Sequence, residues 1–118
     1  MSRVLLFLIV VVFFTACGKN DRPDDTLSRT KMENIIWDMV MADEYLQTIL
    51  LKDTAITDIK AERYKLYEQV FKLHNISREQ FRKSYEYYAS RPQDSKVLFD
   101  SLSARANRRI EEVYKNPQ

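Results

Sequence analysis

Few side chains in this sequence could carry out chemistry. Histidine and cysteine each occur once among 118 residues, as His74 and Cys17. One histidine excludes multi-histidine metal sites, and one cysteine excludes cysteine-cluster zinc modules and an internal disulfide framework. Phe71 stands three residues before His74, where helical di-metal sites carry glutamate, and no nucleophile is placed beside the imidazole. We therefore predict no catalytic residue, no metal and no cofactor, and a structural role for His74.

Composition defines the broad class of the protein. The chain is 45% hydrophobic and 31% charged, with a formal net charge of +2. These values are typical of one globular domain, too apolar for disorder and too short for two full domains. The charge is too balanced for the basic footprint of a nucleic-acid-binding protein, so no nucleic-acid partner is expected.

An apolar run near the amino terminus predicts export. The run covers residues 4–14 and follows a positive start at Arg3. Its eleven residues would rise only about 16 Å as a helix, roughly half of a bilayer core, which favours a signal peptide over a membrane anchor. Phe14-Thr15-Ala16-Cys17 resembles a bacterial lipobox. The resemblance implies cleavage after Ala16 and attachment to membrane lipid through an acylated Cys17; an ordinary signal peptide that contains a cysteine is the alternative.

Three segments are predicted along the chain. Residues 1–16 are the lipoprotein signal peptide, residues 17–29 are the lipidated cysteine and a polar tether, and residues 30–118 form a single helical domain. The expected location is the cell envelope. Lys19-Asn20-Asp21 only partly matches the lysine and acidic pattern of surface-exported Bacteroides-type lipoproteins, which favours the periplasmic face and leaves the cell surface as the alternative.

The domain is predicted to be an all-α, compact bundle of about four helices. No alternating pattern indicates a strand. Capping residues and breakers give the expected helix limits. The first helix is capped by Thr30, with the Glu33 side chain reaching back to that cap, and it ends at Leu51 or Lys52. The second helix runs from about Asp58 to His74 and is followed by Asn75 in a left-handed conformation. The third helix is capped by Ser77 and ends before Arg91-Pro92, and the fourth is capped by Asp94 or Ser95 and ends near Tyr114.

A progression of aromatic and polar residues resembles a known family. Its members are Lys31-Met32, Ile36-Trp37-Asp38, Tyr64, Tyr67, Val70-Phe71, His74-Asn75-Ile76-Ser77, Phe81, Ser84, Tyr87-Tyr88 and Pro92. This pattern is similar to a domain of unknown function found in short Bacteroides-group lipoproteins. The resemblance implies a lipoprotein with a helical domain, and it implies no activity.

The first predicted helix has two apolar faces. Trp37, Met41 and Tyr45 lie at i, i+4 and i+8, opposite the main apolar stripe. Either the helix is buried on both sides, or these three residues form a ridge that binds a partner, since tryptophan, methionine and tyrosine are common at interfaces.

Two charged residues interrupt the predicted apolar faces. Asp43 lies within about 40° of the main stripe of the first helix, and Arg63 lies on the apolar arc of the second. Because an unpaired buried charge is costly, we predict a buried ion pair between Asp43 and Arg63. A tyrosine hydroxyl or His74 is the fallback partner of Asp43.

The sequence therefore predicts a non-catalytic binding or scaffolding domain with a protein partner in the cell envelope. The alternative is a small-ligand carrier with an aromatic-lined pocket between helices. An enclosed cavity above roughly 300 Å³ would favour the carrier, and an exposed ridge at Trp37 would favour protein binding.

Overall fold

The computed structural model describes residues 22–53 and 55–116. Within these residues the chain forms four α-helices and no strand, which confirms the all-α prediction. The helices are α1 (Arg29–Lys52), α2 (Ile59–Leu73), α3 (Arg78–Ala89) and α4 (Pro92–Lys115). The predicted signal peptide, the lipidation site Cys17 and the first part of the predicted tether lie outside the described residues.

Two helices begin where their capping residues predict. The carboxylate of Asp58 accepts a hydrogen bond from the Ala61 amide at 2.9 Å, and the Ser77 hydroxyl accepts one from the Gln80 amide at 3.0 Å. Asn75, between α2 and α3, has a φ of 53°, so the left-handed conformation predicted for it is confirmed. These features depend on neighbours in sequence, and for that reason local rules identify them.

The starts of the other two helices differ from the prediction. The cap of α1 is Ser28, whose hydroxyl accepts from the Lys31 amide, and the carboxylate of Glu33 accepts from Ser101 of α4 at 2.8 Å instead of reaching back. α4 begins at Pro92 without a side-chain cap. Proline suits the first helical position because its φ is preset and it has no amide hydrogen to satisfy.

α1 is the central helix and packs against each of the other three. α1 and α2 are antiparallel, since Asp43 pairs with Arg63 and Asp38 pairs with His74. α1 and α4 are parallel. The buried core comprises Leu27, Met32, Ile35, Val70, Phe71, Tyr88 and Leu98. No helix in the described part of the chain is long and apolar enough to cross a membrane.

The second half of the predicted tether is packed against the domain. Residues 22–28, here called the N-terminal clasp, bring Leu27 into the core with 6% of its surface exposed. The Leu27 amide donates to the hydroxyl of the fully buried Ser84 at 2.9 Å, and the Tyr88 hydroxyl donates to the Leu27 carbonyl at 2.8 Å. Residues 22–28 therefore belong to the folded domain, because partners on α3, distant in sequence, order a stretch that is polar on average.

Removing the Tyr88 hydroxyl should weaken this clasp. Tyr88→Phe leaves the buried Leu27 carbonyl without its donor, so we expect a loss of about 1–3 kcal/mol in the free energy of unfolding. Tyr85→Phe is the control, since Tyr85 is 41% exposed on the same helix, and it should change stability by less than about 0.5 kcal/mol. Denaturant titration measures both changes. Equal effects of the two variants would contradict a stabilising role for the clasp.

Candidate functional site

One face of α1 carries Trp37, Met41 and Tyr45. It packs against α4 at Trp37 and Met41 and is exposed to solvent at Tyr45. The Arg105 guanidinium lies over the Trp37 ring at 4.5 Å, and Arg109 Nη1 lies 2.8 Å from the Met41 sulfur. Trp37 and Met41 are half-buried, while Tyr45 is 58% exposed. Neither alternative from the sequence describes this face fully, because it is covered on one edge only.

An open apolar groove lies beside this face, between the middle of α1 and the C-terminal half of α4, with a volume of about 440 Å³. Exposed hydrophobic residues form much of its wall: Val113 is 62% exposed and Tyr114 is 81% exposed. We call it the α1/α4 groove. Its lining residues are Trp37, Val40, Met41, Glu44, Ala106, Arg109, Ile110, Val113 and Tyr114.

Unequal helix lengths leave the groove open. α3 has 12 residues and α4 has 24, so α3 is about 18 Å long and α4 about 36 Å. The two helices are joined by a tight turn at Ser90 and Arg91, and α2 does not pack on α4. Beyond the length of α3, the second half of α4 therefore has α1 as its neighbour on one side and solvent on the other.

Arginines give one edge of the groove a basic character. Arg105 donates to the Asn34 side chain at 3.1 Å, and Arg109 forms an ion pair with Glu44 at 3.3 Å. Arg108 follows on the exposed side of α4 and forms no ion pair within the described residues. Apolar walls with a cationic edge suit an apolar segment that also carries acidic side chains.

A second polar cluster joins α1 and α2. Arg63 Nε donates to Asp43 Oδ1 at 3.0 Å, and the Tyr67 hydroxyl donates to Asp43 Oδ2 at 2.8 Å. The predicted partner and the fallback tyrosine thus bind the same carboxylate. The side chains of Arg63 and Asp43 are 45% and 37% exposed, so the prediction that the pair is buried is wrong. A helical wheel gives the direction of a side chain but not its depth, and this pair lies at the edge of the α1–α2 contact.

The exposure of the Asp43–Arg63 pair sets the expected energy of the interaction. A double-mutant cycle with Asp43→Asn and Arg63→Met should give a coupling of about 0.2–1 kcal/mol, the range of exposed ion pairs. Tyr67→Phe with Asp43→Asn provides a second cycle for the hydroxyl contact. Thermal or denaturant unfolding of the single and double variants supplies the values. A coupling of several kcal/mol between Asp43 and Arg63 would show that the pair is desolvated in solution.

Tyr67 lies in a shallow cleft of about 310 Å³ between α1, α2 and α3, together with Asp43, Phe81 and Tyr85. Burial of the phenol, and next its hydrogen bond to the Asp43 carboxylate, raise the pKa of Tyr67 to about 12. The protonated hydroxyl is thus retained as the donor to Asp43 over the physiological pH range.

This raised pKa predicts a pH dependence of stability. An unfolded tyrosine has a pKa near 10, so between about pH 10 and 12 the folded state binds more protons than the unfolded state. The contribution of Tyr67 to stability should be complete below pH 10 and lost as the pH rises to 12. Tyrosinate absorbance should show a step near pH 12 that is absent in Tyr67→Phe and shifted down in Asp43→Asn. An unchanged titration in Tyr67→Phe would contradict the assignment.

His74 ends α2 and is tied to α1. Its Nε2 lies 2.6 Å from Asp38 Oδ2, and its side chain is 17% exposed. The sequence did not predict this pairing, although Asp38 and His74 both belong to the pattern that carries the family resemblance. Within the described residues, no group of three or more histidine, cysteine, aspartate or glutamate side chains could hold a metal ion.

The fold and this surface define a class: a small all-α domain with a docked amino-terminal clasp and an open apolar groove. More particularly, the chain belongs to the family described as Domain of unknown function (DUF4296), whose family model matches residues 23–112. The match includes the clasp from Pro23 onwards, in agreement with its packing. Comparison with curated proteins and comparison with solved structures gave no match.

Proposed function

We propose that this protein is a lipid-anchored domain of the bacterial cell envelope, as in short Bacteroides-group lipoproteins, and that it binds another protein without catalysis. The anchor is supported by the order of the amino-terminal residues, in which Cys17 directly follows an apolar run and two small residues. Acylation there would make membrane lipid the first partner. The periplasmic face is the favoured location, and the cell surface is the alternative.

The observation that carries the binding role is the α1/α4 groove. Apolar side chains such as Val113 and Tyr114 remain exposed there, and contiguous exposed apolar surface in a folded domain marks an interaction site. The groove follows α4 from Ala106 to Tyr114, about 12 Å along the helix axis. We propose that its occupant is an amphipathic helix of a partner protein, with apolar residues at helical spacing in the groove and acidic residues beside Arg108 and Arg109.

Site-specific photo-crosslinking in native membranes tests this role. A photoreactive residue at Val113, in the groove, should crosslink to one partner protein at a segment with apolar residues at i, i+3 or i+4, and i+7. Val97 is the control position, since it is 43% exposed on the same helix but does not line the groove. Equal crosslinking from both positions, or attachment at segments without this pattern, would contradict the proposal.

A non-catalytic role is consistent with the surroundings of the single imidazole. Within the described residues, the side chain of His74 has Asp38 as its hydrogen-bond partner, and no hydroxyl is held beside it. We therefore propose no catalytic residue and no cofactor, and we assign the pair a structural role that fixes the end of α2 to α1.

Small-ligand carriage is the second candidate, and the cleft at Tyr67 favours it. Phe81 and Tyr85 form aromatic walls, and Asp43 supplies a carboxylate. The cleft is open to solvent, since Tyr85 is 41% exposed, and an enclosed pocket would suit a carrier better. Native mass spectrometry of protein purified from its membrane would detect a retained small molecule, and loss of that molecule in Phe81→Ala would place it in this cleft.

A further inference from the structure

The distance from Cys17 to the folded domain is short. Four residues, 18–21, separate Cys17 from Arg22, the first described residue. Whatever the conformation of these residues, five Cα–Cα steps span at most about 19 Å. A domain attached to lipid through Cys17 therefore keeps the surface around Arg22 within that distance of the attachment point.

The clasp fixes Arg22 to one face of the domain. Arg22 Nη1 donates to the Tyr88 hydroxyl at 3.3 Å, and Gln80 Nε2 donates to the Asp25 carbonyl at 3.4 Å. With the buried Leu27 contacts, these bonds hold the clasp along α3. The short connection therefore restrains the orientation of the whole domain and not only that of a loose segment.

The face around Arg22 has a composition that suits lipid headgroups. Pro23, Lys83 and Tyr87 share a surface recess of about 500 Å³, and the Arg91 guanidinium lies 4.2 Å over the Tyr87 ring. Tyrosine and arginine together are typical of membrane–water interfaces, where an aromatic body meets charged headgroups. We call these residues, with Arg22, the membrane-proximal face.

The charge of this face is close to neutral. Within the described residues, Lys83 and Arg91 form no ion pair, and Arg22 binds a neutral phenol. Glu86, which also lines the recess, shares Arg82 with Glu79, and both ion pairs are 2.6 Å long. The clasp carboxylates Asp24 and Asp25 oppose the remaining cations. The short connection therefore contributes more to the orientation than the charge does.

We infer that the acylated protein sits with its membrane-proximal face on the lipid headgroups, and that the far end of α1 points into the aqueous phase. This inference rests on the proposed lipidation of Cys17. Leu51, near that far end, is 89% exposed. It lies 22 residues beyond Arg29 in α1, about 33 Å along the helix axis. The orientation would leave the C-terminal ends of α1 and α4 accessible to a protein partner.

Tryptophan fluorescence in vesicles tests this orientation. The chain has one tryptophan, so Trp37→Phe provides a background in which Tyr87→Trp reports on the proposed face and Leu51→Trp reports on the distal end. Circular dichroism confirms that both variants fold. Membrane-extracted protein is reconstituted in vesicles whose headgroups carry a nitroxide quencher. Emission from Tyr87→Trp should fall at least twofold relative to unlabelled vesicles, and emission from Leu51→Trp should change by less than about a tenth. Equal quenching of the two would overturn the inference.

Two further arms separate the orientation from the lipidation. In the first, chain 17–118 is coupled through the Cys17 thiol to a maleimide lipid, which reproduces the attachment whether or not cells acylate Cys17. If Tyr87→Trp is quenched more than Leu51→Trp in this coupled protein, but cells do not acylate Cys17, the orientation is supported and the anchor is refuted. Equal quenching of the two variants would refute the orientation even if cells acylate Cys17.

In the second arm, twelve glycine and serine residues are inserted between Asp21 and Arg22. The insertion should at least halve the quenching of Tyr87→Trp, and unchanged quenching would overturn the role of the short connection.

Discussion

Val113→Asp should abolish partner binding through the α1/α4 groove and leave the domain folded. Val113 is 62% exposed on α4, so a carboxylate there stays hydrated in the free protein and costs little stability, within about 0.5 kcal/mol. In the complex the same carboxylate would be buried against apolar side chains, where an unpaired charge is strongly unfavourable. We expect at least a hundredfold loss of affinity, about 2.7 kcal/mol, measured by crosslinking from a photoreactive residue at Tyr114.

Val97→Asp is the matched control for this experiment. It introduces the same charge on the same helix, also in place of a valine, at a position that is 43% exposed and lies outside the groove. Binding and stability should both remain within error of the unmodified protein. If Val97→Asp reduces crosslinking as much as Val113→Asp, net charge and not the groove controls the association.

Cys17→Ser should release the domain from the membrane or leave an uncleaved precursor. A serine hydroxyl cannot form the thioether to diacylglycerol, so the variant lacks the proposed acyl chains. Each buried methylene of such chains would contribute about 0.8 kcal/mol to attachment. The expected change is close to all-or-none: the protein moves from the membrane fraction to the soluble fraction, or retains the mass of residues 1–118. Intact mass spectrometry distinguishes these results.

Phe14→Leu is the control for Cys17→Ser. A bacterial lipobox usually has leucine at this position, where the chain has phenylalanine, so processing of the variant should be at least as complete as in the unmodified chain. In that chain the mass should exceed that of residues 17–118 by the acyl groups. A mature protein that begins elsewhere and remains soluble would refute the anchor.

The helices were predictable because local interactions define them. Asp58 and Ser77 cap their helices through amide groups three residues later, and Asn75 reverses the chain at a positive φ. Apolar spacing then gives the inward face of each helix. The all-α class needs no more than these features. The approach of Asp43 to Arg63 was predicted from their helical positions on α1 and α2, although the pair is too exposed for burial to require a partner.

The features that depend on contacts distant in sequence were not predictable. The burial of Leu27 depends on Ser84 and Tyr88 of α3, and Glu33 binds Ser101 of α4 instead of its own helix start. Each of these contacts joins residues more than fifty positions apart, and spacing along one helix carries no information about them. For this reason the role of Glu33 was predicted wrongly, and residues 22–28 were assigned to the tether instead of the folded domain.

The burial depth of a side chain, and whether a neighbouring helix covers it, also depend on the packing between helices. The helical positions of Asp43 and Trp37 follow from a period of 3.6 residues, but the period does not say which neighbouring helix extends far enough to cover them. Because α3 has half the length of α4, the ridge at Trp37 borders an open groove. The Asp43–Arg63 pair remains hydrated because it lies at the edge of the α1–α2 contact. Periodicity therefore established the number and faces of the helices, whereas the relative lengths and positions of those helices in space established where apolar surface stays exposed.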